Sequence, residues 1–573
     1  MSGTELAGAL QHLSTVLDTT TLPLPLEGVT EQRGIVSSLQ HQVVDYLLPR
    51  AQRLDAPLLA VVGGSTGAGK STLVNTLLGS VVTRAGVRRP TTTSPTLICH
   101  PLDRDWFRTG PVLPGLVRTD EPLTDSRALQ IVATEQLPAG LALLDAPDID
   151  SVDDENRRLS RQLLGAADLW VFVTTAARYA DAVAWELLQQ AAERDAVVSV
   201  VLNRCPPEAA HELTAHLNEM LLARGLRAQQ VFTVPEQDEP ATGLLPPELV
   251  APLRQWLGHL TAKRGRRHAV AVQTLGGALR HLDPQLRGLV GAATRQQEAL
   301  SDLREAAAQE FREAASLIGH ATSDGTMLRG EVLSRWQDLV GTGEFMRGIE
   351  QRIAAVRDRI TGWFTGSRKA EEVQGAITDG LAALILEHAT AATEQAALAW
   401  TRTPWGQVLA TRPSDLSRPE PGFADEVAWL VRSWQSDVLS LVENEGTGKR
   451  RRARHLALGT NALGAALIIL VFATTGGLTT AEVGIAGGTS LVAQRLLEGI
   501  FGDDAVRRLA ARAKRELDFR IESLLSAQLA RFEERLAALG FDESLPGQLT
   551  EVADALRTAS GDAFDSLTRP EGF

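Results

Sequence analysis

At 573 residues the chain exceeds what one hydrophobic core organises, so two or more domains are expected. A formal net charge of -13 excludes broad attraction to nucleic acid, so no DNA partner is expected and any basic surface must be local. Two cysteines, Cys99 and Cys205, lack ligand spacing, which excludes a disulfide framework or zinc site and fits a reducing cytoplasm.

The opening MSGTELAGALQHLSTVLDTT has neither the basic start nor the apolar run of a secretory signal, so a cytoplasmic chain is expected. Between Gly34 and Leu48, Ile35, Leu39, Val43 and Leu47 recur every four positions, predicting an amphipathic helix ended by Pro49. Residues 1–55 are thus expected to be helical and to pack on a later bundle. From Pro57 to Val234, six apolar runs (LLAVV, TLICH, LALL, DLWVFV, AVVSVVL and QVFTV) alternate with helical patterns. They predict an α/β domain over 56–260 with a mostly parallel sheet of about six strands.

Beyond Leu260 the sequence is rich in Ala, Leu, Arg and Glu, and a long α-helical bundle is expected over 261–573. Three seams carry that reading: Leu300, Leu303, Ala307 and Phe311; Ile349, Ile353, Val356 and Ile360; Leu525, Leu529, Phe532, Leu536 and Leu539. Four prolines between Thr403 and Gly422 predict a loop dividing the helical region. Leu456–Ala473 carries no charge and would be about 27 Å long as a helix, close to the roughly 30 Å hydrocarbon layer. TTGGLTT and a shorter apolar run, Val483–Ala493, follow it. Residues 456–498 are therefore expected to form an apolar helical hairpin, either membrane-contacting or buried as a helical pair. Lys449, Arg450, Arg451, Arg452 and Arg454 precede it and Arg507, Arg508, Arg512, Lys514 and Arg515 follow, so lipid contact is expected through 449–498.

The strongest motif is GSTGAGKST, placed between the strand-like LLAVV and a helical run. Gly64, Ser65, Thr66, Gly67, Ala68, Gly69, Lys70 and Ser71 match G-x-x-x-x-G-K-[ST], with Thr72 continuing into the helix. Such a loop turns backbone N–H groups towards phosphate oxygens at a helix N-terminus. Lys70 is expected to reach the terminal phosphates and Ser71 to place its hydroxyl on magnesium. Asp145, closing the run LALL, is the second expected magnesium anchor. Between them RRPTTTSPT offers Thr92, with Thr93 as the alternative, as a catalytic and metal-binding threonine that closes on the triphosphate; a plain polar turn is the competing reading.

The order GSTGAGKST, RPTTT, DAP, VVLNR resembles the Era-like and dynamin-like P-loop GTPases over about the first half of the chain. Adding the preceding helix, the following bundle and the apolar hairpin, the whole is similar to a bacterial dynamin-like protein. The resemblance implies GTP binding and hydrolysis with Mg2+, a helical stalk with a membrane-touching tip, and homo-oligomers paired through the GTPase domains. It places the protein at the inner face of the cell membrane, peripheral or hairpin-inserted, in remodelling of the fusion or fission type. Three departures stand out. Asp148 replaces the glycine of D-x-P-G; Asn203, Arg204, Cys205 and Pro206 replace N-K-x-D, removing the aspartate that reads guanine; and Thr66 stands where a water-positioning glutamine or serine is common. Asn203 and Arg204 are the remaining expected base-site residues, and weakened choice between GTP and ATP follows from the missing carboxylate. The alternatives are a soluble Era-like GTPase acting on ribosomes or RNA, and a nucleotide-dependent scaffold with weak hydrolysis.

Overall fold

The computed structural model describes residues 2–83, 94–121, 128–150, 154–224, 230–237, 243–328, 331–340, 367–412, 415–445, 460–473 and 486–567. The chain divides into two compact units, Met1–Gln296 with Phe541–Phe573, and Gln297–Gly540. The sequence boundary at 260/261 falls inside the first of these.

The first unit is built on a sheet of eight strands: β1 Leu58–Gly64, β2 Thr96–Cys99, β3 Val117–Thr119, β4 Ala128–Ala133, β5 Leu141–Asp145, β6 Leu169–Thr175, β7 Val197–Cys205 and β8 Gln230–Pro235. Their spatial order is β3-β4-β2-β5-β1-β6-β7-β8, and every neighbouring pair is parallel except β2 with β5. The six expected strands are all present, and β3 and β4 extend the sheet at one edge. Because side chains alternate along a strand, Leu59 and Val61 of β1 enter one core while Leu58, Ala60 and Val62 enter the other. Burial on both faces explains why the central strands read as unbroken apolar runs.

The N-terminal helix Ser2–Thr19 and its successors form a third core of this unit, with Leu275–Ala293 of the 58-residue helix Arg264–Ala321 and Leu545–Ala559 of the last helix. The helix expected over Gly34–Leu48 instead starts at Val29, and Pro49 does not end it. Val29–Gln42 runs into a wider π-turn at Val43–Leu47, where the Leu48 N–H reaches back to the Val43 carbonyl, and helix resumes at Leu48–Gln52. Proline cannot donate to the preceding turn, and the local widening accommodates it. Arg50 of this segment pairs with Asp168 in the sheet domain, at 6% and 0% exposed side chains.

The second unit is helical. Leu300, Leu303, Ala307 and Phe311 are buried as one seam, whereas the seam at 349–360 lies outside the described residues. In the helix Asp503–Ala537, Leu525, Phe532 and Leu536 are buried, but Gln528 takes the core place expected for Leu529, which is only half-buried. The Gln528 amide oxygen accepts from Arg531 at 2.9 Å, so the polar group is partnered. Trp400 donates to the Leu303 carbonyl at 2.8 Å and stacks edge-on with Phe532. The Pro-rich stretch contains a short helix, Pro404–Thr411, capped by the Thr403 hydroxyl accepting from the Gly406 N–H.

Inside this unit lies Thr460–Ala473, the described part of the long apolar run. Every residue from Ala462 to Phe472 is buried, against the helices Ser367–Trp400, Phe423–Glu445, Ala486–Phe501 and Asp503–Ala537. Phe472 lies 5.9 Å from Trp434, ring centre to ring centre, and a side chain at Gly464 would meet Leu439 at 2.3 Å. The described part of this segment is a buried helix paired with Ala486–Phe501, as the second of the two expectations has it. The reason is that a helix apolar on all sides satisfies a protein core as well as a bilayer. Among the described residues no helix is long and apolar enough to cross a membrane. Residues 449–459 and 474–485 lie outside the described residues.

Candidate functional site

Four adjacent parallel strands, β5-β1-β6-β7, end on one side of the sheet, and those expected site residues that are described lie at or just beyond those ends. Register sets them: Val62 pairs with Asp145, Gly64 with Val173, and Thr175 with Asn203. Ligands of open parallel sheets bind at such carboxyl ends.

The loop leaving β1 needs its glycines. Gly64, Gly67 and Gly69 have φ of 154°, 74° and 91°, and a side chain on Gly64 would strike the Val173 carbonyl at 2.0 Å. Gly69 caps the helix Lys70–Leu78, whose first N–H groups open into the loop. Ser65 and Ala68 are buried, Thr66 half-buried, and Thr72 lies half-buried in the first helical turn.

Lys70 folds back over this loop. Its ammonium donates to the Gly64 carbonyl at 2.9 Å, the Ser65 carbonyl at 3.1 Å and the carboxylate of Asp148. The Ser71 hydroxyl donates to Asp145 Oδ2 at 2.7 Å. Asp145 is fully buried and its other oxygen, Oδ1, has no hydrogen-bond partner. Burial pushes its carboxyl above the usual range, with the Ser71 hydroxyl, the Lys70 charge and the nearby Thr83 hydroxyl opposing and the Asp148 charge adding. An orphaned buried carboxylate oxygen beside a hydroxyl is a hard-oxygen donor set, which fits magnesium. Among the described residues no cluster of three or more His, Cys, Asp or Glu could hold a metal. Thr92 and Thr93 lie outside the described residues.

Two residues not singled out in the sequence complete the rim. Asp150 accepts from the Thr66 N–H at 2.6 Å and from its hydroxyl at 2.7 Å, and Arg178, in the loop after β6, reaches Asp150 at 3.2 Å and the Thr66 carbonyl at 3.4 Å. The Thr66 donors hold the Asp150 carboxyl below its usual range against the opposing effect of burial. Thr66 is thus bound to a carboxylate. On the other side Asn203 donates to the Ala68 carbonyl at 2.7 Å and receives the Arg204 N–H at 2.9 Å. Its amide braces the phosphate loop, while Arg204 is exposed with φ of 53°.

Sheet order, glycine loop, lysine, serine and buried aspartate together define a P-loop nucleotide-binding domain. No family model matches the chain. Over 143 residues it is 29% identical to a probable transmembrane FZO-like GTPase of the chloroplast of Arabidopsis thaliana, a stretch that takes in 24% of this chain. The chain covers 14% of the length of that relative. It is also similar to two solved chains described as an oligomerised bacterial dynamin pair that provides a mechanism for long-range sensing and tethering of membranes. One has a TM-score of 0.36 at 9% identity, covering 97% of this chain and 95% of that one; the other has 0.40 at 9% identity, covering 94% and 96%.

Proposed function

We propose that this chain binds and hydrolyses GTP with Mg2+ as a dynamin-like protein at the cytoplasmic face of a membrane, self-associating through its nucleotide domain. The supporting observation is the convergence of Lys70, Ser71 and Asp145 at the ends of β1 and β5, with a buried oxygen of Asp145 left unpartnered. The chemistry of such a site is in-line attack of water on the terminal phosphate. Loop N–H groups and Lys70 stabilise the charge that spreads over the phosphoryl oxygens, and positioning supplies most of the acceleration. Magnesium held by Ser71 and Asp145 would neutralise phosphate charge. Thr66, Asp150 and Arg178 form the rim, and Thr92 remains the proposed closing threonine.

Membrane action is supported by the basic runs on both sides of the apolar segment and by the uncharged character of Ala462–Phe472. Burial of that helix favours a second reading, a soluble GTPase of the Era-like kind. Phosphate release from GTP and from ATP, each with and without anionic liposomes, separates the two. The proposal expects magnesium-dependent release that is lost in Lys70→Ala and accelerated by liposomes. Turnover indifferent to lipid but raised by ribosomes selects the second reading; the ratio of GTP to ATP rates fixes the base.

A further inference from the structure

Lysine carries three N–H donors and no acceptor. In Lys70 all three are engaged, by the carbonyls of Gly64 and Ser65 and by Asp148. The two carbonyls belong to the loop and stay with it. Asp148 is the anionic partner and comes from the segment that follows β5. Its side chain is 16% exposed and that of Lys70 5%, so the pair is shielded from water and stronger than a surface pair. A phosphate oxygen can reach the ammonium only by taking a place already held.

We propose that Asp148 is a specificity-determining residue, a built-in stand-in for the terminal phosphate that holds triphosphate affinity down relative to diphosphate; this rests on reading the loop as a nucleotide site. In a P-loop the backbone N–H groups cradle the inner phosphates while the lysine reaches outward to the terminal ones. A diphosphate brings only its β-phosphate to the ammonium, on the side of the loop carbonyls, and on this proposal leaves the carboxylate on the outer side. A triphosphate brings a second anion to that position, so the carboxylate must give up its partner and remain beside a polyanion. The displacement also reaches the rim, because Ile149 donates to the Gly64 carbonyl at 3.4 Å and Asp150 holds Thr66. The glycine that Asp148 replaces would place no anion on the lysine.

The test is the affinity of the full chain for GDP and for GMPPNP with excess magnesium, by calorimetric titration, in the wild type, Asp148→Asn, Asp148→Gly and Lys70→Ala. Both Asp148 variants are expected to tighten GMPPNP roughly tenfold or more, equivalent to about 1.4 kcal/mol, and GDP less than about threefold. Loss of negative charge in general would tighten both nucleotides alike, so the ratio is the readout. Equal tightening, or unchanged or weaker GMPPNP binding in both variants, overturns the proposal. Wild-type binding that Lys70→Ala abolishes and the Asp148 variants leave untouched sinks it alone. If no variant binds either nucleotide, the nucleotide reading fails and takes it along.

Discussion

Gly69 stands in the left-handed region, and a methyl group there would meet the Asn203 amide nitrogen at 2.4 Å. Gly69→Ala is therefore expected to weaken magnesium-nucleotide binding at least about tenfold by pushing Asn203 off the Ala68 carbonyl, with backbone strain of roughly 1–3 kcal/mol. Fluorescence titration alongside thermal unfolding distinguishes lost binding from lost fold. The two thiols give a second residue-scale outcome. Burial, with Asp103 adding and Arg104 opposing, pushes the Cys99 thiol up to about 11, and burial with Glu208 raises Cys205. Only the thiolate attacks a disulfide reagent, so both cysteines of the native chain should react slowly at pH 8, Cys99 gaining rate until about pH 11. Fast reaction at pH 8 before denaturant is added would contradict this. The phosphate loop was legible in the sequence because its geometry is written in eight contiguous residues. Asp150 and Arg178 were not, since they meet Thr66 across 84 and 112 residues of chain and only strand register brings them together.

At the scale of elements, the central strands were legible because two cores demand apolar residues on both faces, whereas β3 has only three residues and β4 is partly open, so neither forms a clear run. Pro49 misled for a physical reason: a helix survives a missing donor when a wider turn absorbs it. The segment so kept in place delivers Arg50 to Asp168, whose carboxylate also accepts from the Leu59 N–H at 2.8 Å. Arg50→Ala should cost about 3–5 kcal/mol in urea unfolding by leaving a buried carboxylate unpaired. A loss under about 1 kcal/mol would mean that water reaches the site. The apolar helix poses the opposite problem, because core and lipid demand the same residues and sequence cannot separate them. Leu467 is fully buried in the helical unit, so Leu467→Ala should lower stability by about 2–5 kcal/mol without any lipid present. Unchanged unfolding in detergent-free buffer would show that this side chain faces outward in solution.

For the whole molecule, the governing tension is a chain of net charge -13 proposed to work on anionic lipid. Global repulsion is overcome only if cations are concentrated, and Lys449, Arg450, Arg451, Arg452 and Arg454 supply five within six residues. Each is worth about 1 kcal/mol near an anionic leaflet, so replacing all five with glutamine should weaken liposome binding by roughly three to four orders of magnitude. The attraction reaches about 8 Å at physiological ionic strength and about 3 Å at 1 M, so wild-type binding should collapse as salt is raised. Insertion of Ala462–Phe472 would behave differently, since apolar burial is not screened and strengthens slightly in excluded salts such as sulfate. Liposome co-sedimentation across a salt series therefore separates surface docking from insertion. A salt-sensitive wild type with a non-binding five-fold variant means docking with the apolar helix still in its core, whereas salt-resistant binding retained by the variant means that the helix has left the bundle for lipid.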